Sequence, residues 1–171
     1  MSAQTVIDSL EFARAEQEVQ GSVPVSSLTR LQDCLYDADG DINYKLKGGR
    51  DDEMRPILAL EISGFLHVRC QRCLGPLQYE LRSATKLRLS PDDENRDTTV
   101  IDPKSLDCIE ASAALDVVAL VEDEVLLGLP LSPRHAEQTC ATRMAEAAPG
   151  AERPNPFAKL AELKKVVDNR N

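Results

Sequence analysis

The stretch LALEISGFLHVRCQRCLGPLQYELRSATKLRL, residues 58–89, alternates apolar and polar side chains on both sides of a Cys-x-x-Cys turn. Leu58, Leu60, Ile62, Leu66 and Val68 share one face of an extended chain, and Glu61, Ser63, His67 and Arg69 share the other. Gly64 interrupts the run and marks a bend or bulge. Beyond Cys70-Gln71-Arg72-Cys73-Leu74-Gly75-Pro76 the period of two resumes, with Leu77, Tyr79, Leu81, Leu87 and Leu89 opposed by Gln78, Glu80, Arg82, Lys86 and Arg88. Two such runs joined by a short Gly-Pro segment predict a long antiparallel hairpin, buried on one face and wet on the other.

Working outward, Ile42, Tyr44 and Leu46 alternate with Asn43, Lys45 and Lys47, a further half-buried strand ending at Gly48-Gly49. Before it, Ser26 to Cys34 reads as a short helix, capped by Ser26 or Ser27 and carrying Leu28, Leu31 and Leu35 at helical spacing. The first 25 residues show no comparable period. After the hairpin, Ser90 to Asp107 is acidic and bounded by Pro91 and Pro103, the composition of a connecting loop. Val117, Leu120, Val121 and Val125 then repeat at three- and four-residue steps, predicting a helix from Ala113 to Leu129 that Pro130 stops. Small, polar and proline-containing residues 143–154 read as a linker. A last helix, 155–171, opens on Asn155 as cap and Pro156 at the first helical position. The expectation is an α+β domain over 1–142, an antiparallel sheet with a long central hairpin and flanking helices, followed by a linker and a helical tail.

A chain of 171 residues with 42% hydrophobic and 29% charged residues has the balance of a globular protein of ordinary domain size. With 29 acidic against 20 basic residues the net charge is −9, so any grip on nucleic acid or anionic lipid has to be local or shared with a partner. The N-terminal residues lack a basic start followed by an apolar run, and no stretch has membrane-spanning length. Five cysteines, an odd number without an export signal, point to a reducing cytoplasm.

The densest chemical signal is the pair Cys70 and Cys73, which can converge on one ion. A tetrahedral site needs two more ligands, and His135 with Cys140, four residues apart in between, is a pair of suitable type and spacing for zinc. Free thiols at a strand end are the plain alternative. A thiol oxidoreductase is another, although such pairs usually sit where a strand meets a helix, and both flanks here read as strand. The outward hairpin face gathers His67, Arg69, Arg72, Arg82, Lys86 and Arg88, a patch able to track phosphates, or a solvated face of mixed charge. It has no aromatic platform for stacking bases. Glu122, Asp123 and Glu124 fan around a helix and read first as a solvated face, with protein binding as the functional alternative; Phe157 and Leu160 offer an apolar face on the last helix. Gly-rich phosphate loops, a nucleophile elbow and triad spacings are missing from the sequence, which suits a non-enzyme without a small-molecule substrate.

Three stretches together, VRCQRCLGPLQYEL (68–81), LVEDEVLLGLPLSPRHAEQTC (120–140) and PNPFAKLAELKK (154–165), resemble the bacterial YceD family, the large ribosomal RNA subunit accumulation proteins. The resemblance covers the cysteine hairpin, the acidic helix with its Pro-His-Cys tail and the Asn-Pro-Phe helix, in the family's order; residues 1–55 add only a loose likeness. It implies a role in synthesis, processing or stability of 23S ribosomal RNA, on the pre-50S particle, without a known catalytic activity. Family members tend to be encoded beside a large-subunit ribosomal protein, which implies a basic ribosomal protein as a further partner. By motif the resemblance carries over Cys70, Arg72, Cys73, Glu122, Asp123, Glu124, Pro130, His135, Asn155, Pro156 and Phe157, their individual roles left open.

Overall fold

The computed structural model describes residues 6–90, 106–136 and 140. The chain divides into two units, Met1–His135 and Ala136–Asn171. In the first, the expected hairpin forms over β4 (Pro56–Arg69) and β5 (Pro76–Ser90), and β3 (Asp41–Arg50) lies beside β4. Two strands complete a five-stranded sheet of order β2-β3-β4-β5-β6: β2 (Glu18–Pro24) antiparallel to β3, and β6 (Asp107–Glu110) parallel to β5. The fold is thus α+β on an antiparallel sheet, with one parallel edge. A small pair, β1 (Val6–Ile7) with β7 (Leu115–Asp116), stands apart.

Strict alternation decides which face is covered. Ile42, Leu46, Leu58, Leu60, Ile62, Leu66, Val68, Leu81, Leu87 and Leu89 are buried and pack against α1 (Ser9–Arg14) and α2 (Val117–Gly128). The helix α1 brings Phe12 and Ala13 down onto β3, where Gly48 leaves room for their backbone and donates its amide to Gln17 O at 2.8 Å. The helix expected from Ala113 starts later, at Val117, because the Asp116 carboxylate accepts from the Val118 and Ala119 amides and so caps it there.

Other expectations are corrected. Gly64 makes no bulge: it stays in register, opposite Ile42 and Leu81, and its missing side chain makes room for Ile42 Cδ1, 2.6 Å from where a Cβ would stand. The segment 26–34 is not an α-helix but two 3-10 turns, Val25–Ser27 and Thr29–Leu31. Ser27 Oγ donates to Pro24 O at 2.8 Å instead of capping an amide, and the Gln32 side chain donates to Val25 O and Leu28 O. Leu28, Leu31 and Leu35 are nonetheless buried as their spacing required. The linker 143–154, the final helix with Phe157 and Leu160, and most of the acidic connection lie outside the described residues.

Candidate functional site

The polar face of the sheet is open. Its rows follow from the register: Ser22, Asn43, Ser63 and Arg82 stand side by side across four strands, Gln20, Lys45, Glu61 and Ala84 form the next row, and Glu18, Lys47, Ala59 and Lys86 the one after. The strand curvature makes this face a shallow trough that includes Asn43, Lys45, Ser63 and Arg82. Neighbouring strands are about 4.8 Å apart, so Lys47 and Lys86, on either side of Ala59, stand about 10 Å from each other.

Of the patch expected from sequence, Arg69, Arg82 and Lys86 are exposed on this face, and Arg72 is exposed in the hairpin turn. His67 is half-buried and hydrogen-bonds Asp37 through Nδ1 at 2.8 Å, which holds the Asp37 carboxyl below its usual range. Arg82 pairs with Glu80 on its own strand, and Arg88 is mostly covered, 3.8 Å from Asp51. Two cations absent from the expected patch join it from β3: Lys45, paired with Glu18 at 3.1 Å, and Lys47. Lys47 and Lys86 have no ion-pair partner among the described residues. Alternation already put Lys45 and Lys47 on one side of their strand, but which face of the hairpin that side joins required the β3–β4 register.

The acidic run departs from the expected solvated face. Glu122 and Glu124 are only 8% and 7% exposed. Glu122 accepts from the Arg30 amide at 2.7 Å and from Arg30 Nε at 3.0 Å. Glu124 accepts from the Ser83 and Thr85 hydroxyls of β5. Helical residues two apart point about 200° from each other, so the two carboxylates reach opposite neighbours. Asp123 stays exposed and pairs with Arg30 at 2.7 Å, so a docking role for this run reduces to that one carboxylate. Glu124→Ala would leave two hydroxyls without their acceptor between α2 and β5, and hydrogen bonds to charged groups are worth about 1.5–3 kcal/mol each. Urea denaturation should show a loss of about 3 kcal/mol, and an unchanged midpoint would mean that the carboxylate is not held there.

At the hairpin tip, Cys70-Gln71-Arg72-Cys73 forms a tight knuckle. The Cys70 amide donates to Gly75 O at 3.0 Å, the Leu74 amide to Cys70 O at 2.9 Å, and Leu74 adopts φ +59° to close the loop. The segment after α2 is tied to this turn, since Gln71 N donates to Pro133 O at 2.8 Å. His135 is thereby set against the knuckle, with Nδ1 3.4 Å from Cys73 Sγ and Nε2 2.8 Å from Pro76 O. Burial pushes the Cys70 thiol up, but hydrogen bonds from the amides of Cys73, His135 and Arg72 and from the Cys73 side chain bring it down to about 5. The ligand atoms of Cys70, Cys73 and His135 lie within 4.8 Å of one another. Cys140, the fourth residue of the expected set, belongs to the second unit, where its thiol is buried and its amide donates to Ala136 O at 3.2 Å. Cys34 and Cys108 are exposed.

Residues 58–164, from the first strand of the hairpin onward, match the family model described as "Large ribosomal RNA subunit accumulation protein YceD". The chain belongs to the YceD family. The YceD relative of Haemophilus influenzae, called a large ribosomal RNA subunit accumulation protein, is 28% identical over 166 residues, covering 92% of this chain and 94% of its own. No solved structure matches the chain. The YceD match spans β4, the knuckle, β5, α2 and His135, whereas β2 and β3, which contribute Lys45 and Lys47 to the open face, precede it. No described helix is long and apolar enough to cross a membrane.

Proposed function

We propose that the protein acts in the cytoplasm as a non-enzymatic ribosome biogenesis factor, supporting the synthesis, processing or stability of 23S ribosomal RNA by binding RNA through the open face of β3, β4 and β5. The observation that carries it is the couple Lys47 and Lys86, without an ion-pair partner among the described residues, on a sheet face with Lys45 and Arg82 in the rows beside them. Lysines without an internal partner release counterions from a phosphate backbone at no cost in broken ion pairs. The relative's name supplies the large-subunit RNA, and the face supplies a means of holding it. With a net charge of −9 and Glu61 within the trough, contact is confined to this patch, where Phe65, 54% exposed beside Ser63 and Arg82, corrects the expectation of a face without an aromatic on which a base can stack. A basic ribosomal protein bound by the acidic run is the weaker alternative, because Glu122 and Glu124 are already occupied by Arg30, Ser83 and Thr85.

Cells that lack the protein provide the test. The wild-type gene should restore the level of 23S relative to 16S ribosomal RNA, and a soluble, folded Lys47→Glu, Lys86→Glu variant should not. Full restoration by that variant would remove the sheet face from the function.

A further inference from the structure

We propose that Cys70, Cys73 and His135 bind a zinc ion that locks the hairpin tip to the segment following α2. Three features of the knuckle argue for a metal rather than for free thiols. The amides of Arg72, Cys73 and His135 all donate to Cys70 Sγ, so the backbone is folded around this sulfur as around the ligand of a zinc knuckle. His135 Nε2 sits on the Pro76 carbonyl, which can only accept; the ring proton is therefore on Nε2, and the Nδ1 lone pair faces Cys73 Sγ. A histidine oriented through its far nitrogen in this way is the usual outer support of a metal ligand. Finally, tetrahedral zinc with Zn–S bonds of about 2.3 Å needs donor atoms about 3.8 Å apart, and these three lie within 4.8 Å of one another.

The donor set selects the ion. Thiolate with imidazole in a tetrahedral arrangement suits zinc. Binding forms Zn–S bonds to Cys70 and Cys73 and a Zn–N bond to His135, and thiols still protonated release their protons to solvent. A dithiol oxidoreductase fits poorly, because an attacking thiolate must reach a second disulfide and Cys70 is fully buried.

The full-length chain, purified reduced and without chelator, should contain one zinc per molecule by elemental analysis. Cys73→Ser and His135→Ala should each lose most of it, and the Cys34→Ser, Cys108→Ser double variant should keep it. Because ligand variants can misfold, the wild-type thiols give a second measurement. Under native conditions the exposed Cys34 and Cys108 should react fast with Ellman's reagent, and Cys70 and Cys73 slowly, with zinc released in step with these two. Cobalt added to the metal-stripped, reduced chain should give the absorption of a tetrahedral thiolate-ligated ion. A chain that purifies without metal and takes up neither zinc nor cobalt, or in which Cys70 and Cys73 cycle freely through a disulfide, would overturn the assignment.

Discussion

Gly48→Ala should destabilise the protein by about 3 kcal/mol, near the upper end for overpacking a well-filled core. A Cβ on Gly48 would stand 2.4 Å from the Phe12 carbonyl oxygen and 2.8 Å from Ala13 Cα. Both are backbone atoms of α1, so no rotamer change relieves the contact, and the helix must shift off β3 or the strand must buckle. The Gly48 amide bond to Gln17 O at 2.8 Å ties the same region together and would be strained with it. The adjacent Gly49→Ala is the control, since its Cβ would meet nothing closer than Ile57 Cγ1 at 3.9 Å. Urea titrations of the two variants should separate widely in midpoint. Equal midpoints would mean that α1 does not rest on β3 as described.

The double variant Lys47→Glu, Lys86→Glu should weaken binding to large-subunit ribosomal RNA at least tenfold at about 0.1 M salt, and should lower the slope of log K against log salt by about 1.4 if the two lysines neutralise single-stranded phosphates. Neither lysine holds an internal ion pair among the described residues, so folding stability should be almost unchanged and the loss attributable to binding. Arg82→Glu alone should act more weakly, because Arg82 is already engaged by Glu80 and gives up that pair to reach a phosphate. A double variant that retains the wild-type salt slope would exclude phosphate contact at this pair.

Apart from Gly64 and the covering of Arg88, the hairpin was legible, because its alternation runs over long segments and a period of two assigns side chains to faces. Arg69, Arg82 and Lys86 were placed outward on that ground, and outward they are. The edges of the sheet were not legible. In β2, Gly21 and Pro24 interrupt the pattern of Val19 and Val23, and β6 is four residues long and pairs parallel, a relation that local periodicity does not encode. The helix α1 has six residues, too few for two turns of a periodic signal. The acidic run misled for a different reason. Charge favours the surface as a rule, but Ser83 and Thr85 occupy inward positions of β5 and create a polar gap that only a carboxylate from α2 fills. Those two hydroxyls, lying within the apolar alternation of Leu81 and Leu87, were the available signal. Around the knuckle, residue type and spacing singled out Cys70, Cys73 and His135, whose ligand atoms lie within 4.8 Å of one another, while the orientation of His135 onto the Pro76 carbonyl could be seen only in the structure.

Ultraviolet crosslinking of the full-length chain to large-subunit ribosomal RNA, followed by mass spectrometric mapping of the nucleotide-bearing peptides, tests most directly whether the sheet face holds RNA. Adducts are expected on the β3 peptide containing Lys45 and Lys47 and on the β5 peptide containing Arg82 and Lys86. Adducts confined to α2 or the chain termini, with none on β3 or β5, would contradict it.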